Sequence, residues 1–293
     1  MIDLNETNPP FQTEPLPQDE AEVRARHESN RAGWNEGARH YTAHLDQTIQ
    51  NLRNKKSNLH PVERRNLCDL QQYHTAVHLQ CASGGDTLSL WLEGVQQVIG
   101  VDISDTHIDN ARRISAALDA PAEWHRCDIL DTPHELDGIA DLVYTGRGAI
   151  CWMHDLTAWA NVITRLLKPG GVFHILDDHP FTWLFNPEAQ SPEYAGINYF
   201  SYAESSQGWP DTYIGDTLGI PVTQQSRKYE RLWTLSAIFN SLKEAGLVIE
   251  YFGEHPEPYW NNFQNLAPEV RDQIPMTFSM LARKPLAGSR KTI

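Results

Sequence analysis

The chain is 293 residues long, 40% hydrophobic and 21% charged, which suits one large folded domain with additions and argues against bulk disorder. Its formal net charge of -14 opposes the neutralisation of phosphates, so no nucleic-acid partner is expected and a small molecule is favoured. No apolar run reaches the ~18 residues of a membrane span, so no membrane partner is expected either.

The first residues, MIDLNETNPPFQTEPLPQDE, are acidic and proline-rich. They lack the basic-then-apolar order of a secretory signal, and residues 1–25 are expected to be a disordered tail. Residues 26–72 form an N-terminal helical cap: the pattern is helical to about residue 55, and a further helix starts at Pro61. TAVHLQC is a buried strand, and DTLSLWLEG a helix closed by Gly94. VQQVIGVDIS, AEWHRCDIL, ADLVYTG and VFHILDDHP are further strands, with helices at DTHIDNARRISAALDA and DLTAWANVITRLLKPGG. Residues 182–230 break this rhythm with mixed Pro, Gly, Tyr and Ser, as a substrate lid inserted in the domain would. Helix, turn at Gly246 and two strands then complete a domain spanning 73–285, followed by a tail at 286–293. Alternation of this kind predicts an α/β fold: a central, mostly parallel seven-stranded sheet with helices on both faces. Cys68, Cys81, Cys127 and Cys151 include no CxxC pair, so reduced thiols in a cytoplasmic protein are expected, with no metal site.

Ligands of open parallel sheets lie beyond the carboxyl ends of the strands. The loop QCASGGD, residues 80–86, leaves the first strand there, and Gly84-Gly85 lets backbone approach a ligand closely. Asp102 ends the second strand, where a carboxylate accepts from ribose hydroxyls. Asp128 ends the third, within reach of an adenine amino group, or as a cap. Adenosine is implied. The pyrophosphate of NAD(P) calls for G-x-G-x-x-G; QCASGG suits S-adenosylmethionine, which carries an amino acid in place of phosphates.

The order HLQCASGGDTLSL, VIGVDIS, CDIL, DLVYTGRGAICWMHDL, RLLKPGGVF and DDHPFTWLF resembles bacterial class I S-adenosylmethionine-dependent methyltransferases with a Rossmann-like fold. The chain is most similar to the subgroup whose first motif is H-L-Q-C-H-F-G-x-D-T-L-S. Trp34-Asn35, Ser57 to Pro61 and His179 to Phe181 match further motifs of that subgroup, whereas Ala82-Ser83 stand where it has His-Phe. The resemblance runs from about 30 to 284. It implies cofactor contacts from Trp34, Tyr41, Gln80, Cys81, Ala82, Ser83, Gly84, Asp86, Thr87, Asp102, Ile103, Asp128, Ile129, Thr145 and Gly146. Asp86 is equally suited to cap a helix. Arg147 could bind a substrate carboxylate or form a structural ion pair, and Trp152, Trp183, Tyr229 and Trp233 could wall the acceptor or pack as core. His179, then His154, are the candidate general bases, and Asp177 or Asp178 could orient the His179 imidazole. The expected activity is methyl transfer to oxygen or nitrogen of a small molecule. A non-catalytic S-adenosylmethionine-binding protein and an NAD(P)-dependent oxidoreductase are the alternatives.

Overall fold

The five residues of Thr75–Leu79 are all buried, as in a strand covered on both faces. This strand lies inside the main sheet, with neighbours on both edges. The computed structural model describes residues 11–210, 213–260, 262–286 and 288. In chain order, β1 (Phe11–Glu14), α1 (Glu20–Ala43), α2 (Leu45–Arg53) and α3 (Pro61–Leu67) precede β2 (Thr75–Leu79) and α4 (Gly85–Leu92). Next come β3 (Gln97–Asp102), α5 (Asp105–Ala117), β4 (Ala122–Arg126), β5 (Ala140–Gly146), α6 (Leu156–Leu166) and β6 (Leu167–Asp178). The remainder is β7 (Tyr202–Gln207), β8 (Arg227–Leu232), α7 (Leu235–Glu244), β9 (Val248–His255), α8 (Pro268–Arg271) and β10 (Thr277–Arg283).

The main sheet has seven strands in the order β4-β3-β2-β5-β6-β10-β9. Strands β2 to β6 pair in parallel, and β10 runs antiparallel to both β6 and β9. The expected fold class is borne out. Side chains alternate across it. Val77, Leu79, Val143 and Phe173 pack with Trp159 and Ile163 of α6 and Leu242 of α7. On the other face, Ala76, Leu142 and Tyr144 pack with Leu67 of α3 and Leu90 of α4. Strand order reverses direction between β2 and β5, which opens a crevice at their carboxyl ends.

A second sheet, β1-β7-β8, differs from expectation. Phe11–Glu14 falls in the stretch expected to be disordered, yet pairs antiparallel with β7. Helix α1 begins at Glu20, before residue 26, because the Asp19 side chain caps the Glu22 N–H. Residues 1–10 lie outside the described residues, as does most of 286–293. The insertion 182–230 carries β7 and most of β8. Asn30 of α1 exchanges hydrogen bonds with the Tyr229 backbone at 2.7 and 2.8 Å. Glu36 accepts from the Ser226 N–H and hydroxyl. Helix α1 and the insertion therefore form one roof.

Candidate active site

The loop after β2 turns through positive φ at Gln80 (60°), Ala82 (46°) and Gly84 (79°). The two non-glycine residues are held there by bonds across the crevice, since this region is unfavourable for them. Gln80 Nε2 donates to the Ala149 carbonyl at 2.7 Å, and the Ala82 N–H donates to Asp102 Oδ2 at 2.8 Å. Gly84 has a second constraint: a Cβ there would overlap the Trp124 ring.

Asp102 is 8% exposed. Its Oδ1 accepts from the Ser104 N–H at 2.8 Å, and burial raises its pKa to about 6. Ser104 caps α5 and donates through its hydroxyl to Asn35 Oδ1, 2.8 Å away on α1. Ser83 Oγ lies 2.8 Å from His107 Nδ1. The other nitrogen, His107 Nε2, is buried without a partner. Burial lowers the His107 pKa to about 3, so the ring is neutral.

Aromatic rings close over this loop. Trp34 of α1 lies 5.5 Å from His107, 5.3 Å from Trp152 and 4.5 Å from Trp209. Tyr41 and Tyr213 share a hydroxyl–hydroxyl bond of 2.7 Å. The rings continue through Trp260 to Tyr259. Two cavities, of about 510 and 400 Å³, lie elsewhere: one beside Gln18, His154 and Arg231, the other beside Thr132 and Arg165. Neither is lined by the 80–86 loop or Asp102, and the candidate site is defined by the strand ends.

The remaining candidate residues divide by what already holds them. Cys81 and Ile129 are buried core. Ile103 follows Asp102 and keeps partial exposure. Thr87 Oγ1 meets His78 Nδ1 at 2.7 Å, and Thr145 Oγ1 donates to the Leu79 carbonyl. Gly146, at φ 147°, tolerates no Cβ because it would strike the Leu176 carbonyl. Asp128 caps the Leu130 N–H, and its Oδ2 takes His27 Nδ1 at 2.8 Å and Arg24 at 3.1 Å. Its Oδ2 is thus engaged by α1 and its Oδ1 by the Leu130 N–H. Arg147 pairs with Asp86, lies 3.7 Å from Glu63 Oε1, and donates to the Asn58 carbonyl. The pairing with Asp86 matches the ion-pair alternative for Arg147.

The two histidines are held as well. His179 Nδ1 accepts from the Phe181 N–H at 3.1 Å, and Nε2 meets Glu254 Oε1 at 2.8 Å. The orienting carboxylate is Glu254 of β9, not Asp177 or Asp178. His154 is 2% exposed and lies under α1, with Nε2 3.3 Å from the Tyr229 carbonyl. Burial lowers its pKa to about 3. Trp152 joins the roof; Trp183 lies 6.3 Å from Tyr202. Tyr229 sits under the Arg26 guanidinium, and Trp233 under that of Arg231.

Three acidic groups carry more of the crevice than the sequence suggested. Asp177 accepts from the N–H groups of Gly148, Ala149 and Ile150, so it shapes the turn after β5. Asp178 follows it at the end of β6, Glu230 pairs with Glu204 between β8 and β7, and the Tyr259 hydroxyl donates to Asp177 Oδ1 at 3.1 Å. The pair DD at a strand end was a visible signal; Glu230, in the insertion, had none.

Residues 76–171 match the family model described as a methyltransferase domain. Among solved structures the chain is similar to an S-adenosylmethionine-dependent methyltransferase from Mesorhizobium loti, with 23% identity, TM-score 0.53, and coverage of 76% of this chain and 96% of that one. A second, from Clostridium acetobutylicum, gives 15% identity, TM-score 0.52, and coverage of 75% and 89%. No curated protein sequence matches. The family match over residues 76–171 supports the expected methyltransferase domain, and the two solved structures share the expected fold. No described helix is long and apolar enough to cross a membrane.

Proposed function

We propose that this protein transfers the methyl group of S-adenosylmethionine to an oxygen or nitrogen atom of a small molecule. The observation that carries the reading is the bond from Ala82 to Asp102, which fixes a strained loop against a carboxylate at the switch point. Each Asp102 oxygen keeps a lone pair for a ribose hydroxyl beyond its backbone bond. Gln80 Oε1 is buried without a partner; it is an acceptor suited to the α-ammonium of the methionine end. The cofactor supplies an activated methyl group on a sulfonium, and ring faces such as those of Trp34 and Trp152 favour that charge. What the chain must add is orientation and exclusion of water. In this reading His179 and His154 position the turn after β6 and the helix α1, and neither is required as a base. The free thiols suit the cytoplasm.

The test is calorimetric titration with S-adenosylhomocysteine and with NAD, followed by incubation with labelled S-adenosylmethionine and a metabolite extract. Binding of the first ligand, none of the second, and a mass-shifted small molecule are expected. Binding of NAD alone would overturn the reading, and binding without turnover would favour a regulatory protein.

A further inference from the structure

The larger cavity, of about 510 Å³, opens between the start of α1, the start of α6 and one face of α7, away from the 80–86 loop and Asp102. Arg231 of β8 stands in its wall. The guanidinium carbon lies 3.5 Å from the centroid of the Trp233 ring, and Nη1 donates to the His154 carbonyl at 3.1 Å. Trp233 and His154 line the same cavity. Among the described residues Arg231 forms no ion pair. Asp155 is the carboxylate whose charge reaches it, while Arg26 adds a second positive charge, and burial pushes the Arg231 pKa down to about 10. Arg26 is buried, forms no ion pair among the described residues, and keeps its Nη1 without a partner. His154 is neutral and supplies no counter-charge. Two guanidiniums drawn out of water beside each other favour an anion at this end of the cavity.

The rest of the wall has the opposite preference. Asp19, Asp155 and Glu244 line the cavity, and among the described residues none of them forms an ion pair. Asp155 Oδ1 accepts from the Ala158 N–H at 2.9 Å, and Asp19 Oδ1 from the Glu22 N–H at 2.9 Å. The second oxygen of each keeps its lone pairs for a donor. Opposite charges sharing a cavity gain most by pairing with each other. Here Arg231 is fastened to a backbone carbonyl and the two aspartates to backbone N–H groups, so the signs are held apart. A ligand that satisfies both ends carries an anion and a cation on one small frame.

We propose that this cavity is a second binding site, for a free α-amino acid, whose carboxylate pairs with Arg231 and whose ammonium lies among Asp19, Asp155 and Glu244. The experiment uses the full chain with the crevice filled by excess S-adenosylhomocysteine, and follows each standard L-amino acid by saturation-transfer NMR up to about 10 mM. At least one is expected to bind with a dissociation constant below about 1 mM. Its N-acetylated and decarboxylated forms, which each lack one charge, should bind at least about tenfold more weakly. Arg231→Gln should weaken the amino acid by about tenfold or more. Glu244→Gln, at an exposed position of α7 where the fold tolerates exchange, should weaken it about threefold. Neither should move the S-adenosylhomocysteine affinity. Absence of amino-acid binding at 10 mM overturns the proposal. Equal binding of the N-acetylated or decarboxylated form overturns it too, as does an affinity that both substitutions leave unchanged.

Discussion

The Ala82 N–H donates to Asp102 Oδ2 across 2.8 Å, so the loop leaving one strand is fastened to the carboxylate that ends its neighbour. Asp102→Ala removes both this fastening and the ribose acceptor. S-adenosylhomocysteine binding should weaken by about 1.5–3 kcal/mol, roughly 10- to 100-fold, with the fold retained. Calorimetry checks this, and an unchanged dissociation constant would remove Asp102 from the site.

The same carboxylate sets a pH dependence. Burial raises the Asp102 pKa to about 6, above its unfolded value, so the ligand-free native state holds the proton more tightly. Its contribution to stability is complete at low pH and is lost as pH rises through about 6. Ribose binding needs the ionised form, so affinity should run the other way. The S-adenosylhomocysteine dissociation constant should be flat above pH 7 and rise about tenfold between pH 7 and 5. A flat profile down to pH 5 would contradict the assignment.

His179 has both ring nitrogens engaged, by the Phe181 N–H and by Glu254. His179→Asn should therefore leave turnover within about threefold and its pH profile unmoved. A fall of about 100-fold or more at unchanged cofactor affinity would restore the imidazole as the base.

Glu63 is fully buried and accepts from the Tyr144 hydroxyl and the His60 N–H. Arg147 is the cation beside it. Arg147→Met leaves that carboxyl, and Asp86, without their cation. A loss of about 3 kcal/mol in denaturant unfolding is expected. A variant as stable as the parent would mean that Glu63 is protonated in the native state.

Helix α1 and the insertion meet through Tyr41–Tyr213, Trp209 to the Gly33 carbonyl, and Glu36 to Ser226. Because these contacts roof the crevice, ligand entry must part them. Amide exchange across residues 27–43 and 202–210 should slow when S-adenosylhomocysteine is added. Equal exchange with and without it would argue that the roof is fixed.

The sheet was legible because its strands are short apolar runs between turn residues; ADLVYTG coincides with Ala140–Gly146. The loop after β2 was legible because Gly84 marks a backbone that cannot carry a side chain. What escaped depends on pairings between distant parts of the chain. Asp128 was read as an adenine partner or a cap; its ties to Arg24 and His27 were not legible, because α1 left no trace of its approach in the local pattern. The partner of His179 was sought in its neighbours Asp177 and Asp178. It comes from β9, which lies two strands away in the sheet, with β10 between. Glu230 sits in an irregular, aromatic-rich stretch with no periodicity to assign its face.

The pairing of β1 with β7 bears on how the chain is made. Glu14 Oε1 accepts from the Ser205 hydroxyl across a separation of 191 residues. At ordinary synthesis rates, the segment Phe11–Glu14 waits on the order of 10–40 s for its partner strand to leave the ribosome. During that time its edge is open, while the parallel strands β2 to β6, already synthesised, can pair without it. The small sheet therefore closes after the parallel half of the main sheet, and a bulky fusion at the amino terminus would interfere with that closure more than with the pairing of β2 to β6.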